Sequence, residues 1–118
     1  MGYLAGRWRS MGFAWAGIRH LLGTQPNARI HAAATVLVVG AGFVFQVSRL
    51  EWLALVGAIA LVWVAEALNT GIERVVDLAS PELHPIAGQA KDVAAAGVLL
   101  ASVAAAVIGL LVFVPKLT

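Results

Sequence analysis

The chain has 118 residues, of which 61% are hydrophobic and only 12% charged, with a mean hydropathy of +0.90, more apolar surface than one small water-soluble core can hide. Cysteine is absent, which excludes disulfides, thiolate metal sites and cysteine nucleophiles. The net charge of +2 rests on eight scattered Lys and Arg residues, a poor footprint for nucleic acid, so those charges are expected to set topology in a lipid bilayer.

At about 20 apolar residues per span, the length accommodates one compact unit, and residues 1–118 are expected to form a single all-α membrane domain. The opening segment MGYLAGRWRSMGFAW carries arginines but no apolar run ending at a small-residue cleavage site, so it is expected to remain in the mature protein. Residues 2–22 mix Tyr3, Leu4, Trp8, Phe13 and Trp15 with Arg7, Arg9, Arg19 and His20, the composition of a helix that lies in the headgroup region. The break GTQPN at residues 23–27 supplies a turn, with Pro26 placed to open the next helix.

Residues 28–47 form the first span, interrupted early by Arg29 and His31. The second runs over residues 51–72 and continues at helical spacing to Leu78, past the expected edge of the membrane core. Residues 79–92 are polar and contain Pro81 and Pro85, so a loop is predicted there. The third span covers residues 93–114, and its many alanines and glycines favour close helix packing in lipid. Arg7, Arg9, Arg19, Arg29, Arg74 and Lys91 then share one side of the membrane and Arg49 and Lys116 the other. The positive-inside rule places the N-terminus and the 79–92 loop in the cytoplasm.

Glu66, Asn69, Glu73 and Asp77 are spaced by three, four and four, which sets them on one stripe of the second span. Glu66 falls inside or at the edge of the apolar run, where an ionisable side chain costs about 2.5 kcal/mol or more and therefore marks a function by default. Stacked carboxylates repel, and a divalent cation is the simplest way to make them tolerable; the alternative is that they solvate the emerging helix end and pair with Arg74 or Lys91. Lys91 and Asp92, preceded by Glu82, His84 and Gly88, are either a topological anchor or a phosphate and metal contact. Phosphoryl transfer needs cations against the phosphates, carboxylates to hold them and a base near the attacking hydroxyl. No GxxxxGK[ST] loop, GxGxxG turn or protein-kinase catalytic loop occurs, so any nucleotide site must be built from helix ends.

The blocks EALNTGIERVVD at residues 66–77 and HPIAGQAKDVAAAGVLL at residues 84–100, with FAWAGIR and PNARIH before them, resemble the prokaryotic diacylglycerol kinase and undecaprenol kinase family over nearly the whole chain. The resemblance implies a homotrimer of three-span protomers in the bacterial inner membrane, each with an N-terminal surface helix, using Mg-ATP to phosphorylate a membrane lipid alcohol. Carried over by position, Glu66 resembles the family's catalytic base and Glu73 a metal-ligating carboxylate. Phe13, Gln25, Asn69, Glu73, Asp77, Glu82, His84, Lys91 and Asp92 fall around the nucleotide, Ala28, Arg29 and His31 fall where the lipid groove begins, and Glu66 is counted with them as lipid-binding.

Two positions depart from the family pattern. Gln25 stands where a glutamate that shares the metal is usual, leaving a neutral carbonyl oxygen in place of a charged ligand, or else only a turn residue before Pro26. Phe13 stands where a tyrosine is common in the diacylglycerol kinases. The RIH run resembles the undecaprenol kinase branch, which makes undecaprenol the expected acceptor, diacylglycerol the alternative, and a non-catalytic lipid-binding protein the reading from a different class.

Overall fold

The computed structural model describes residues 2–118 and contains, over that range, four helices and no strand: α1 (Tyr3–Thr24), α2 (Pro26–Val44), α3 (Arg49–Ala79) and α4 (Pro85–Leu117). Three of them, α2, α3 and α4, are long and apolar enough to cross a membrane. Their surfaces carry exposed Val36, Leu37, Phe43, Leu53, Val56, Leu61, Leu100, Leu110 and Leu111, a distribution that suits lipid or protein contact and not water.

The first helix differs from the other three. Leu4, Trp8, Met11, Trp15, Ile18 and Leu22 recur at helical spacing and form one exposed apolar stripe, while Phe13 lies across the helix from it, near Arg9 and His20. A helix with an uncovered apolar stripe and arginines elsewhere lies in the membrane interface. Arg29 ties it to α2, its Nε donating to Leu22 O at 2.9 Å and its Nη2 to Gly23 O at 2.7 Å, so a cation meets the carbonyls that α1 leaves unpaired at its C-terminus.

The α2–α3 corner is a Schellman turn, with Val47 N–H donating to Gly42 O at 3.1 Å and Gln46 N–H to Phe43 O at 3.3 Å. Gln46 occupies the left-handed position, φ 53°, which glycine adopts without the roughly 1–2 kcal/mol penalty of a side chain. Gln46→Gly is therefore expected to stabilise the fold by about 1 kcal/mol, read as a higher midpoint of unfolding in detergent micelles; an unchanged or lower midpoint contradicts the assignment of strain. Ser48 then opens α3 with a capping box, its hydroxyl accepting from Glu51 N–H at 3.2 Å while Glu51 Oε1 accepts from Ser48 N–H at 2.8 Å.

The pair α3 and α4 packs most extensively and is held at both ends. Lys116 pairs with Glu51 at 3.0 Å, and Lys91 pairs with Asp77 at the opposite end. The two helices are thus antiparallel, Arg49 and Lys116 share one end of the bundle, and Arg74, Asp77 and Lys91 share the other. At about 1.5 Å per residue, the 31 residues of α3 reach about 46 Å, longer than a hydrocarbon core of about 30 Å.

The helix bounds differ from the expected ones mainly around the prolines. The expected 79–92 loop is only residues 80–84, because α4 begins at Pro85 instead of at residue 93. Proline is favourable at the first helical position, where the missing N–H has no intrahelical acceptor to lose, and His84 Nδ1 accepts the Ile86 N–H at 3.1 Å as the cap. Pro26 plays the same part for α2, which starts two residues earlier than expected and ends at Val44, and α4 continues through Pro115 to Leu117.

Candidate active site

The buried face of α3 explains where the chemistry sits. Leu55, Ala58 and Val62 are buried along it, and the same face continues into Glu66, Asn69 and Thr70, which are also buried. The polar stripe therefore extends the apolar packing seam, and Glu66 stands at the junction between the two. It is 1% exposed, the most deeply enclosed charged side chain described.

From α2, His31 reaches this point, with Nε2 3.5 Å from Glu66 Oε2. Neither of these two atoms has another hydrogen-bond partner, nor do the buried Asn69 Oδ1 and Thr70 Oγ1. Buried polar atoms without partners are a costly arrangement unless a substrate, ion or water completes them. One turn further on, Asn69 Nδ2 donates to Glu73 Oε1 at 3.1 Å, and beyond it Asp77 meets Lys91 from α4. The contiguous set of His31, Glu66, Asn69, Glu73, Asp77 and Lys91 thus joins α2, α3 and α4.

Two cavities flank it. One of about 300 Å³ lies among α2, α3 and α4, lined by His31, Thr35, Leu55, Trp63, Ser102 and Gly109 among others, and it is predominantly apolar. It begins at His31, beside Glu66, and extends toward the far end of the bundle, a shape that can take a lipid tail. The other, about 310 Å³, lies between α1 and α3 near His20, Thr70 and Arg74, with Arg74 Nη2 3.5 Å from His20 Nε2.

The remaining sequence-predicted residues are placed as follows. Gln25 forms the joint between α1 and α2 and donates through Nε2 to Thr24 Oγ1 at 3.3 Å. Ala28 is fully buried against the bundle, and Arg29 spends its guanidinium on the end of α1. Phe13 is exposed on α1. Glu82 lies in the short loop, where its backbone carbonyl accepts from Ser80 Oγ at 3.0 Å, and His84 caps α4. Lys91 and Asp92 sit within α4 and not ahead of it. Sequence reasoning missed the Trp63 Nε1–H bond to Thr35 Oγ1 at 2.9 Å and the burial of Thr70; each depends on how α2 and α3 cross, which no local pattern displays.

An all-helical membrane bundle with an enclosed carboxylate beside a histidine that lines an apolar cavity, and with carboxylate, amide and lysine groups stacked beyond it, has the parts of an enzyme that brings a greasy substrate to a polar one. Residues 12–113 match the family model described as prokaryotic diacylglycerol kinase, and the chain belongs to that family of membrane lipid kinases. It is similar to an undecaprenol kinase of Bacillus subtilis strain 168, 40% identical over 92% of this chain and 89% of that protein. It is also similar to a diacylglycerol kinase of a Synechocystis species, 38% identical over 92% of this chain and 62% of that protein, and to a diacylglycerol kinase of Escherichia coli strain K12, 31% identical over 84% and 81%.

Proposed function

We propose that this protein transfers the γ-phosphate of ATP to undecaprenol at the cytoplasmic face of the bacterial inner membrane, with Glu66 as general base, and that it does so as a homotrimer. The observation that carries the proposal is the position of Glu66, enclosed on the buried face of α3 and 3.5 Å from His31, which lines the apolar cavity. A long-chain alcohol lying in the cavity presents its hydroxyl there. Its oxygen attacks the γ-phosphorus as the bond to the β-phosphate oxygen breaks, ADP leaves, and the hydroxyl proton passes to the Glu66 carboxylate.

Asn69, Glu73, Asp77, Lys91 and Asp92 are assigned to the nucleotide end, where Lys91 supplies a cation to phosphate oxygens, and Phe13, Glu82 and His84 to its periphery. Ala28, Arg29 and His31 are assigned to the lipid side. Among the described residues no group of three His, Cys, Asp or Glu side chains converges as a closed metal site. The orphaned carbonyl oxygen of Asn69, the Glu73 carboxylate and the amide oxygen of Gln25 are hard, oxygen-type donors. So sparse a set suits magnesium, which keeps waters and binds through one or two carboxylates plus substrate phosphates. Bound with ATP, it neutralises phosphate charge during transfer.

Gln25→Glu is expected to lower the magnesium concentration for half-maximal rate by about tenfold, measured at fixed ATP; no change removes Gln25 from the metal. Diacylglycerol is the alternative acceptor, favoured by the names of the Synechocystis and E. coli relatives. Side-by-side phosphorylation of undecaprenol and diacylglycerol in mixed micelles tests the choice: a higher kcat/KM on undecaprenol supports the proposal, and a higher value on diacylglycerol reverses the assignment of acceptor.

A further inference from the structure

Glu66 has one neighbour whose role the general-base reading does not use. His31 Nε2 stands 3.5 Å from Glu66 Oε2, with the imidazole mostly covered and the carboxylate almost wholly so. The distance is a few tenths of an ångström longer than a hydrogen bond, the looseness expected of a catalytic contact before substrate tightens it. Neither atom has another hydrogen-bond partner among the described residues.

Trp63 links the two helices beside His31. Its Nε1–H donates to Thr35 Oγ1 at 2.9 Å, and the Thr35 hydroxyl donates in turn to the His31 backbone carbonyl at 2.7 Å. The Trp63 ring also meets the His31 ring edge to face, centroids 6.4 Å apart. Trp63 lies on α3 less than one turn before Glu66, so the ring that packs on the histidine and the carboxylate the histidine faces belong to one helix. A brace of this kind fixes geometry across the α2–α3 crossing.

We propose that His31 is the positioning residue of the reaction centre: its Nε2–H holds Glu66 Oε2, which turns Oε1 toward the acceptor hydroxyl as the oxygen that takes the proton. This rests on the reading of Glu66 as the base. It assigns His31 a part in turnover and not only in lipid binding, because misplacing a reacting group by about 1 Å costs about a hundredfold in rate.

The two amide replacements separate these roles. Glutamine places its NH₂ near the position of Nε2, whereas asparagine places its own near Nδ1 and stops short of Glu66; both are similarly polar and both remove the ring. His31→Gln is expected to keep kcat within about tenfold of the parent and His31→Asn to lower it about a hundredfold, with the KM for ATP unchanged within about twofold in each and any rise in the lipid KM shared by both. Equal kcat in the two variants, or a loss confined to the lipid KM, overturns the proposal. The Glu66→Gln protein measured alongside distinguishes the two levels: if it turns over normally the base assignment has failed, whereas an inactive Glu66→Gln protein with equal His31 variants leaves the base in place and removes only the role of His31.

Discussion

Glu66→Gln is expected to lower kcat by about 10²–10⁴-fold, the range that a positioned general base contributes, while leaving the fold intact. Glutamine keeps the length and shape of the side chain and loses only the basic oxygen. Because Glu66 is enclosed within a helix long and apolar enough to cross a membrane, the parent carries the cost of burying an ionisable group, and a neutral amide removes that cost. The unfolding midpoint in micelles is therefore expected to hold or rise as turnover falls. That opposite movement separates catalysis from structure, since a residue kept for packing loses stability and rate together. Normal turnover in the variant removes Glu66 from the mechanism.

Glu73→Gln is the second large effect. Its carboxylate accepts the Asn69 amide at 3.1 Å, about two turns along α3 from Glu66, and it is the only carboxylate the proposal assigns to the cation. Removing a partner that merely orients a metal ligand costs about 10–100-fold in metal affinity or activity, so loss of the charged ligand is expected to raise half-saturating magnesium by at least about tenfold. The glutamine can still accept from Asn69 through its amide oxygen, so the local hydrogen bond survives and the effect reports the lost charge. A shift in the KM for lipid with magnesium dependence unchanged would move Glu73 out of the metal role. Placing the lost charge back one helix away, in Gln25→Glu/Glu73→Gln, is expected to recover part of the magnesium affinity if both positions serve the same ion.

The membrane spans were legible because an apolar run of the right length leaves few alternatives in a chain so poor in charge. The stripe from Glu66 to Asp77 was legible because a regular helical spacing needs only the period of the helix. Pro85 misled as a loop residue because proline is at once a poor interior residue and a favourable first residue of a helix, and only the cap from His84 decides between them. Arg29 closes the end of α1 through Leu22 O and Gly23 O, a contact that depends on how α1 and α2 meet and that no local pattern displays. The pairing of Lys91 with Asp77 was among the weighed alternatives, and charge complementarity on facing helices was enough to raise it. The His31–Glu66 approach was not foreseen: both residues were singled out separately, but their meeting depends on the crossing of α2 over α3 and on the Trp63–Thr35 brace. Long-range side-chain geometry of that kind has no local signature.

The most direct test of the account is to follow the γ-phosphate of labelled ATP in the presence of magnesium, undecaprenol and the purified protein in micelles. The account predicts that label appears in undecaprenyl monophosphate in step with ADP formation, and that this transfer is lost in Glu66→Gln. Release of label as inorganic phosphate with no phosphorylated lipid, or transfer that persists unchanged in Glu66→Gln, would contradict it.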